Sequence, residues 1–581
     1  MGNHPATLGL PITELHNVER HLSPVSASSA RARLSGTRPE DALLLSCART
    51  RMDAETAERL RELLRGQLDW VHLLVAAHQH GLRPLLYWQL HATCPKLVPA
   101  PWMDDLRDYF HRLAQRNLFL ASELHKIIEK LAADGVIAIP VKGPTLAAKV
   151  YGNLALREFA DLDFLVRDAD VSNARASLAL LGYCLQGHRN HAGATTRPRA
   201  AGQYAFARDD RTVSVELHSE ITLRHFPVAL DLPRLWERSQ PVSLGGKTVR
   251  TLSPEDLLLF LCVHGAKDFW QQLKWICDIA ELALSPEELD WDQVLDRAHE
   301  LRCEPMLFLG LNLASELLGA PLPEQVARRV RADAAASSSA TWVRQQLFQD
   351  DGVSPGIGER LLFRLRMGRG LWDSLRYSLR LAMSPTEEDY ALLRLPALLD
   401  PLYALLRPVR LAREYGVGLL RRSLRKDLGG FEPTPMEFVG PMLALAEVRP
   451  ADVVYDLGCG DGRLVIEAAR RFGSRGVGID IDPRRIAQAK ANARKQGVGH
   501  LVKFIQQDAK TVDVSEATVV LLYLPWVGNI KLRERLRQQL PRSARVVSRD
   551  GDMGSWPPDK VEHIEDGARR RAVLYLWRIE K

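Results

Sequence analysis

Three glycines at alternate positions, Gly458, Gly460 and Gly462, follow Asp456 in the run VVYDLGCGDGRLVIEAARRF that begins at residue 453. An apolar run, a glycine bend and a helical pattern make a crevice in which a ligand can approach the backbone, because a β-carbon there would block both the turn and the ligand. Asp480 closes the strand-like GVGID eighteen residues after Gly462, where a carboxylate can accept hydrogen bonds from both hydroxyls of a ribose. The spacing G-x-G-x-G departs from the G-x-G-x-x-G of dinucleotide loops. Asp456 would repel a pyrophosphate but suits an ammonium. The crevice therefore calls for a ligand with a ribose at one end and an amino acid at the other.

A second constellation lies far upstream. In AIPVKGPTLAAKVYGNLALREFADLDFLV an apolar strand over Val136–Val141 runs into Lys142-Gly143-Pro144, with Pro144 suited to the first residue of a helix whose N-terminus could receive phosphate. Alternation along a strand puts Asp161 and Asp163 on one face and Leu162 and Phe164 on the other. In TVSVELHSE, Glu216 and His218 share the face opposite Val213, Val215 and Leu217. Asp161, Asp163 and Glu216 would hold divalent metal and activate a hydroxyl toward a nucleoside triphosphate. His218 and His264 read more simply as packed, hydrogen-bonded histidines, and Cys459 as a small filler in its loop.

The elements that must position these residues fall into separate folded units, since 581 residues at roughly 100–200 per domain make two to four. Residues 1–39 read as a flexible tail without periodicity. Residues 40–345 form the first unit, with helical patterning, a β-rich core over about 131–285, and helices again from Ser253. Between Arg360 and Lys426 stand 14 basic and 6 acidic residues, so 346–428 reads as a basic helical connector, with peripheral membrane contact as its sharper reading. Asp427-Leu-Gly-Gly marks the boundary of the last unit, 429–581, where strands and helices alternate. The expected class is thus multidomain α/β.

Hydrophobic and charged fractions of 46% and 26% are those of ordinary globular protein. Seven scattered cysteines, with no C-x-x-C, argue against a disulfide framework or a zinc site and for the cytoplasm. The sequence holds neither a leader pattern nor an uninterrupted apolar run of about 18 residues. A net charge of +7 admits nucleic acid as a partner without requiring it.

Three pieces together, D-L-G-C-G-D-G, the G-I-D strand end and FIQQDA with Asp508, resemble class I S-adenosylmethionine-dependent methyltransferases, with a Rossmann-like seven-stranded sheet. PTPMEFVGPMLALA, SEATVVLLYL and SRDGDMGSW narrow the likeness to the ATP-synthase-c-subunit lysine methyltransferase family and its bacterial relatives. The resemblance implies that Asp456, Gly458 and Gly460 cradle the methionine end of S-adenosyl-L-methionine, Asp480 the ribose and Asp508 the adenine amino group. Thr434 and Pro435 would close over the cofactor. LYLPWVGN, with Pro525 and Trp526, departs from the family at the segment that meets the acceptor. The stretch K-G-P-T-L-A, L-R-E-F-A-D-L-D-F-L-V, V-E-L-H and the helical L-S-P-E-D-L-L-L-F-L-C-V-H-G resembles an uncharacterised bacterial branch of polymerase-beta-type nucleotidyltransferases. That likeness implies Mg2+ at Asp161, Asp163 and Glu216, Lys142 and Gly143 at the nucleotide, and His264 and Asp278 along a helical wall. Gly-Pro in place of the usual Gly-Ser removes a hydroxyl and an N–H from the phosphate loop.

The expectation is a bifunctional transferase: a methyltransferase acting on a protein lysine or similar amine, fused to a metal-dependent nucleotidyltransferase. The alternatives are that the first half only binds a nucleotide or substrate for the methyltransferase, or that both halves tailor a small molecule or peptide.

Overall fold

The computed structural model describes residues 38–186, 203–208, 212–219, 232–285, 289–348, 357–367, 403, 433–565 and 571–580. The expected tail and most of the basic connector, with its suggested membrane contact, lie outside the described residues.

Apolar residues at helical spacing carry the first part of the chain into a helical layer that ends in the 34-residue helix Ala100–Ala133. Its buried stripe, Leu113, Leu120, Leu124, Ile127 and Leu131, repeats at three to four residues, so one face meets the sheet that follows. That sheet has the order β1-β2-β5-β4-β3, from β1 (Ala138–Pro140), β2 (Asp161–Val166), β3 (Tyr183–Leu185), β4 (Gln203–Arg208) and β5 (Ser214–His218). Only three residues of the expected strand Val136–Val141 pair, antiparallel to β2. Val213, Val215, Leu217, Leu162 and Phe164 are fully buried in one core with the long helix. This leaves the opposite face of β2 and β5 for their polar residues. A hairpin of β6 (Gln240–Leu244) and β7 (Lys247–Thr251) then leads into helices Pro254–Lys267 and Leu273–Ala283. Ser253 caps the first of these, accepting from the Asp256 N–H at 3.3 Å.

The last quarter is a doubly covered sheet of order β10-β9-β8-β11-β12-β14-β13. Its strands are β8 (Val453–Leu457), β9 (Arg475–Asp480), β10 (Val502–Gln506), β11 (Val519–Leu522), β12 (Arg545–Arg549), β13 (Lys560–Glu565) and β14 (Arg571–Arg578). The first five in sheet order run parallel and β14 is antiparallel to both neighbours. Residues of β8 alternate between two cores, Val454 in one and Val453, Tyr455 and Leu457 in the other, because helices cover both faces. The expected α/β multidomain class, with a seven-stranded Rossmann-like sheet at the C-terminus, is therefore what the chain adopts. No helix among the described residues is long and apolar enough to cross a membrane.

Helices of the two halves are in direct contact. Arg533, from the helix Trp526–Gln539, lies 3.5 Å from Asp105 and stacks over Trp102 at 4.6 Å. His78 meets Trp526 with ring centres 5.0 Å apart.

Candidate functional site

In the C-terminal sheet the chain leaves β8 at Leu457 and bends through Gly458, Gly460 and Gly462, all in the left-handed region with φ of +93°, +52° and +82°. Gly458 and Cys459 each donate to the Ile479 carbonyl at 2.8 Å, which fastens the bend to the tip of β9. A β-carbon at Gly462 would stand 2.7 Å from the Phe504 ring, so close packing as well as backbone conformation requires glycine there. The helix Arg463–Phe472 starts at once.

Asp480 is held by the loop it serves. Its carboxylate accepts the Gly460 N–H at 2.9 Å and the Asp482 N–H at 2.8 Å, leaving its outer lone pairs for a ligand. Asp456, 3% exposed, has no such support: burial pushes its carboxyl up to about 8, with Asp480 and Asp461 adding repulsion. A buried carboxyl facing two others is a seat for a positive group. Asp508 follows β10, part-exposed, and accepts the Lys510 N–H at 2.9 Å. Thr434 is buried, and its carbonyl accepts from Arg463 Nη1 at 2.6 Å.

Arg463 was not singled out in the sequence, yet it joins the pieces. It grips Asp461 through Nε at 2.9 Å and Nη2 at 2.6 Å while holding Thr434, so the segment before the fold's first strand is tied to the glycine loop. Tyr523 and Glu437 flank these segments; the Tyr523 ring lies 4.3 Å from the Arg549 guanidinium.

In the first sheet, parallel pairing sets Asp163 opposite Glu216 and Asp161 opposite Ser214. Side-chain oxygens and nitrogen of Asp163, Glu216 and His218 gather within 4.8 Å of one another. His218 thus joins Asp163 and Glu216, and Asp161, at the start of β2, feels the charges of Asp163, Lys142 and Glu216. The physical reason is reach, since His218 Nε2 extends across to Asp163 at 3.0 Å and lies 3.4 Å from Glu216. Lys142 Nζ donates to Asp163 Oδ1 at 3.3 Å. Burial acts to raise Asp163, but Lys142 and His218 overcome it and hold the carboxyl well below the usual range. Burial and the neighbouring Asp163 push Asp161 up. Gly143, φ +59°, leaves 3.3 Å between an added β-carbon and the Asp161 carbonyl.

Pro144 does begin a helical run, three residues to Leu146 followed by a wider turn to Tyr151, with Gly143 at its cap. Asp278 is fully buried and fully engaged: its carboxylate accepts from Arg157 Nε at 2.7 Å and Nη2 at 2.8 Å, and from the Tyr151 hydroxyl at 2.7 Å. His264, half-buried beside Lys142, is driven well below its ordinary value by desolvation first and by that ammonium second.

A seven-stranded sheet of this order, a glycine bend after β8 and acidic residues around that bend define a class I S-adenosylmethionine-dependent methyltransferase. Residues 456–560 match the family described as the ANTKMT methyltransferase domain, and residues 66–319 match one described as an uncharacterised nucleotidyltransferase. A protein-lysine N-methyltransferase of Saccharolobus islandicus is 41% identical over 148 residues, 25% of this chain and 91% of that protein. Through its C-terminal part the chain belongs to that protein-lysine N-methyltransferase family. The human ATP-synthase-c-subunit lysine N-methyltransferase is 30% identical over 24% of this chain, which spans 59% of the human protein's length. A solved structure described as an RNA methyltransferase from Salinibacter ruber, in complex with S-adenosyl-L-homocysteine, is 49% identical over 26% of this chain and 95% of its own, with a TM-score of 0.25.

Proposed function

We propose that the chain is a cytoplasmic S-adenosylmethionine-dependent protein-lysine N-methyltransferase, residues 429–581, joined by a connector over 346–428 to a nucleotidyltransferase-like unit over 40–345. The observation that carries this reading is the crowded Asp456 carboxyl beside the glycine bend, next to Asp480 on the neighbouring strand. Asp456 would hold the amino group of the methionine end, and Gly458 and Gly460 keep the backbone open beneath it. Asp480, already oriented by two N–H groups, would take the ribose hydroxyls, and Asp508 the adenine amino group. Thr434, drawn in by Arg463, would cover the same pocket. The bound cofactor supplies an electrophilic methyl group on a sulfonium. The protein's part is to align an amine about 3 Å from that methyl and to let it arrive unprotonated, since a free lysine titrates near about 10.4.

In the N-terminal half the carboxylates of Asp163 and Glu216, with Asp161 beside them, suit a Mg2+ ion and a nucleoside triphosphate, with Lys142 and Gly143 at the phosphates. A second reading, favoured by the Lys142 ammonium on Asp163, is a module that binds nucleotide or substrate without turnover. Labelled triphosphates and magnesium separate the two: incorporation abolished by Asp163→Asn supports the enzyme, and binding without incorporation supports the module.

The methyltransferase reading is tested by incubating the full chain with methyl-tritiated cofactor and an extract of its host, then hydrolysing the protein fraction. Label in Nε-methyl-lysine, lost on Asp480→Ala, is expected. Label confined to RNA or to small molecules rejects the lysine acceptor.

A further inference from the structure

His218 is the member of the N-terminal cluster that a magnesium site does not call for. Parallel pairing of β2 with β5 sets Asp163 opposite Glu216 and Leu165 opposite His218. The His218 ring, only 8% exposed, turns Nε2 to Asp163 at 3.0 Å and stands 3.4 Å from Glu216. One imidazole nitrogen and the oxygens of two carboxylates therefore lie within 4.8 Å of one another, a gathering that one ion can bridge.

As a set of hydrogen bonds the cluster is unfinished. Lys142 and His218 both reach Asp163 through the same oxygen, Oδ1. Among the described residues, Oδ2 of this 3% exposed carboxylate takes no hydrogen bond. Charge is unfinished as well. Asp161, Asp163 and Glu216 bring three carboxylates, and among the described residues the one ammonium in contact with them is that of Lys142. The excess is the charge of one divalent cation. Glu216, whose side chain is 36% exposed, leaves that cation a way in from solvent.

Donor chemistry then selects the ion. Mg2+ favours oxygen ligands and gives up its waters reluctantly, whereas an imidazole beside carboxylates suits the first-row transition ions. Lys142, held on Asp163, serves as the outer partner that orients that carboxylate.

We propose that His218 is a metal ligand and that Asp163, Glu216 and His218 form a site for a divalent first-row transition ion, such as Mn2+, in preference to Mg2+. The assignment rests on the metal reading of the N-terminal half but not on nucleotide turnover, because binding of the ion alone reports it.

Mn2+ alone is the probe, added to the full chain after treatment with a chelator. Electron paramagnetic resonance, through loss of the free-ion signal, is expected to show a single tight site that Mg2+ empties only at about tenfold excess or more. Pulsed spectra of the bound ion should carry modulation from a nitrogen nucleus, and chain grown on isotope-labelled histidine should change that pattern, a readout that needs no variant. His218→Asn should abolish the modulation and weaken Mn2+ about tenfold or more, while Mg2+ affinity by calorimetry changes less than about threefold. Asp163→Asn, which removes an oxygen and keeps the imidazole, should weaken both ions together. Mn2+ bound without nitrogen modulation, or with modulation that survives His218→Asn, overturns the imidazole ligand and leaves a carboxylate-held Mg2+ standing. Equal affinity of the wild type for the two ions overturns the preference. Binding of neither ion sinks the metal reading itself, and this site with it.

Discussion

Replacing Asp456 by asparagine removes the group on which the cofactor reading leans hardest. Its carboxyl is pushed from near 3.8 up to about 8, by burial first and then by Asp480 and Asp461. At one decade per unit, about one carboxyl in a hundred is ionised at about pH 6 and about one in ten at about pH 7. An ammonium seated there pairs with the ionised form, so association on this limb releases close to one proton and tightens about tenfold per pH unit. Above about pH 8 the ligand's own α-amine, with an unperturbed value of about 7.7–8.0, loses its proton. Affinity for S-adenosylmethionine therefore peaks near about pH 8 in the wild type, whereas Asp456→Asn has no acid limb.

The same shift bears on stability, with a definite sign. A carboxyl raised in the fold favours the protonated native state, so the unliganded protein loses stability as pH climbs from about 3.8 toward about 8. At about pH 7 that amounts to as much as about 4 kcal/mol, at about 1.4 kcal/mol per unit. Unliganded Asp456→Asn should accordingly resist urea better than the wild type near neutrality, with the gain shrinking toward about pH 4. Calorimetric titrations at three pH values, in two buffers of different ionisation heat, read both the affinity and the released proton. A wild-type affinity that ignores pH, or an acid limb that survives in the variant, refutes the reasoning.

Three further outcomes follow from the packing. Gly462→Ala places a β-carbon 2.7 Å from the Phe504 ring at a φ of +82°, so unfolding free energy should fall by about 1–3 kcal/mol in denaturant titrations. Asp278→Ala strands the Arg157 guanidinium, which is only 5% exposed, and should cost about 3–5 kcal/mol by the same measurement. Arg463→Ala cuts the tie between Thr434 and Asp461 and should weaken binding of S-adenosylmethionine about tenfold, a difference of about 1.4 kcal/mol by calorimetry.

Much of the methyltransferase half could be read directly from residue order. The β-branched run of β8, the three glycines and the amphipathic helix after them obey local rules of period and backbone freedom, and the fold keeps all three. Strand alternation likewise anticipated that Val213, Val215 and Leu217 turn inward and that Glu216 and His218 share the other face. It could not reveal that His218 reaches Asp163, or that Lys142 does. Those depend on side-chain length and on which residue lies opposite which across two strands. Nor does any spacing announce that Arg463 bonds a carbonyl at residue 434. The contact between the halves was least legible of all, because Arg83 and Trp526 are brought together only when helices of the two halves pack against each other.

A crystal structure of the full chain with S-adenosyl-L-homocysteine decides whether the glycine bend is the cofactor site. The amino group of the ligand is expected at hydrogen-bond distance from the Asp456 carboxyl, with both ribose hydroxyls on Asp480. A ligand seated elsewhere, or bound beside the glycine bend with Asp480 untouched, would overturn that assignment.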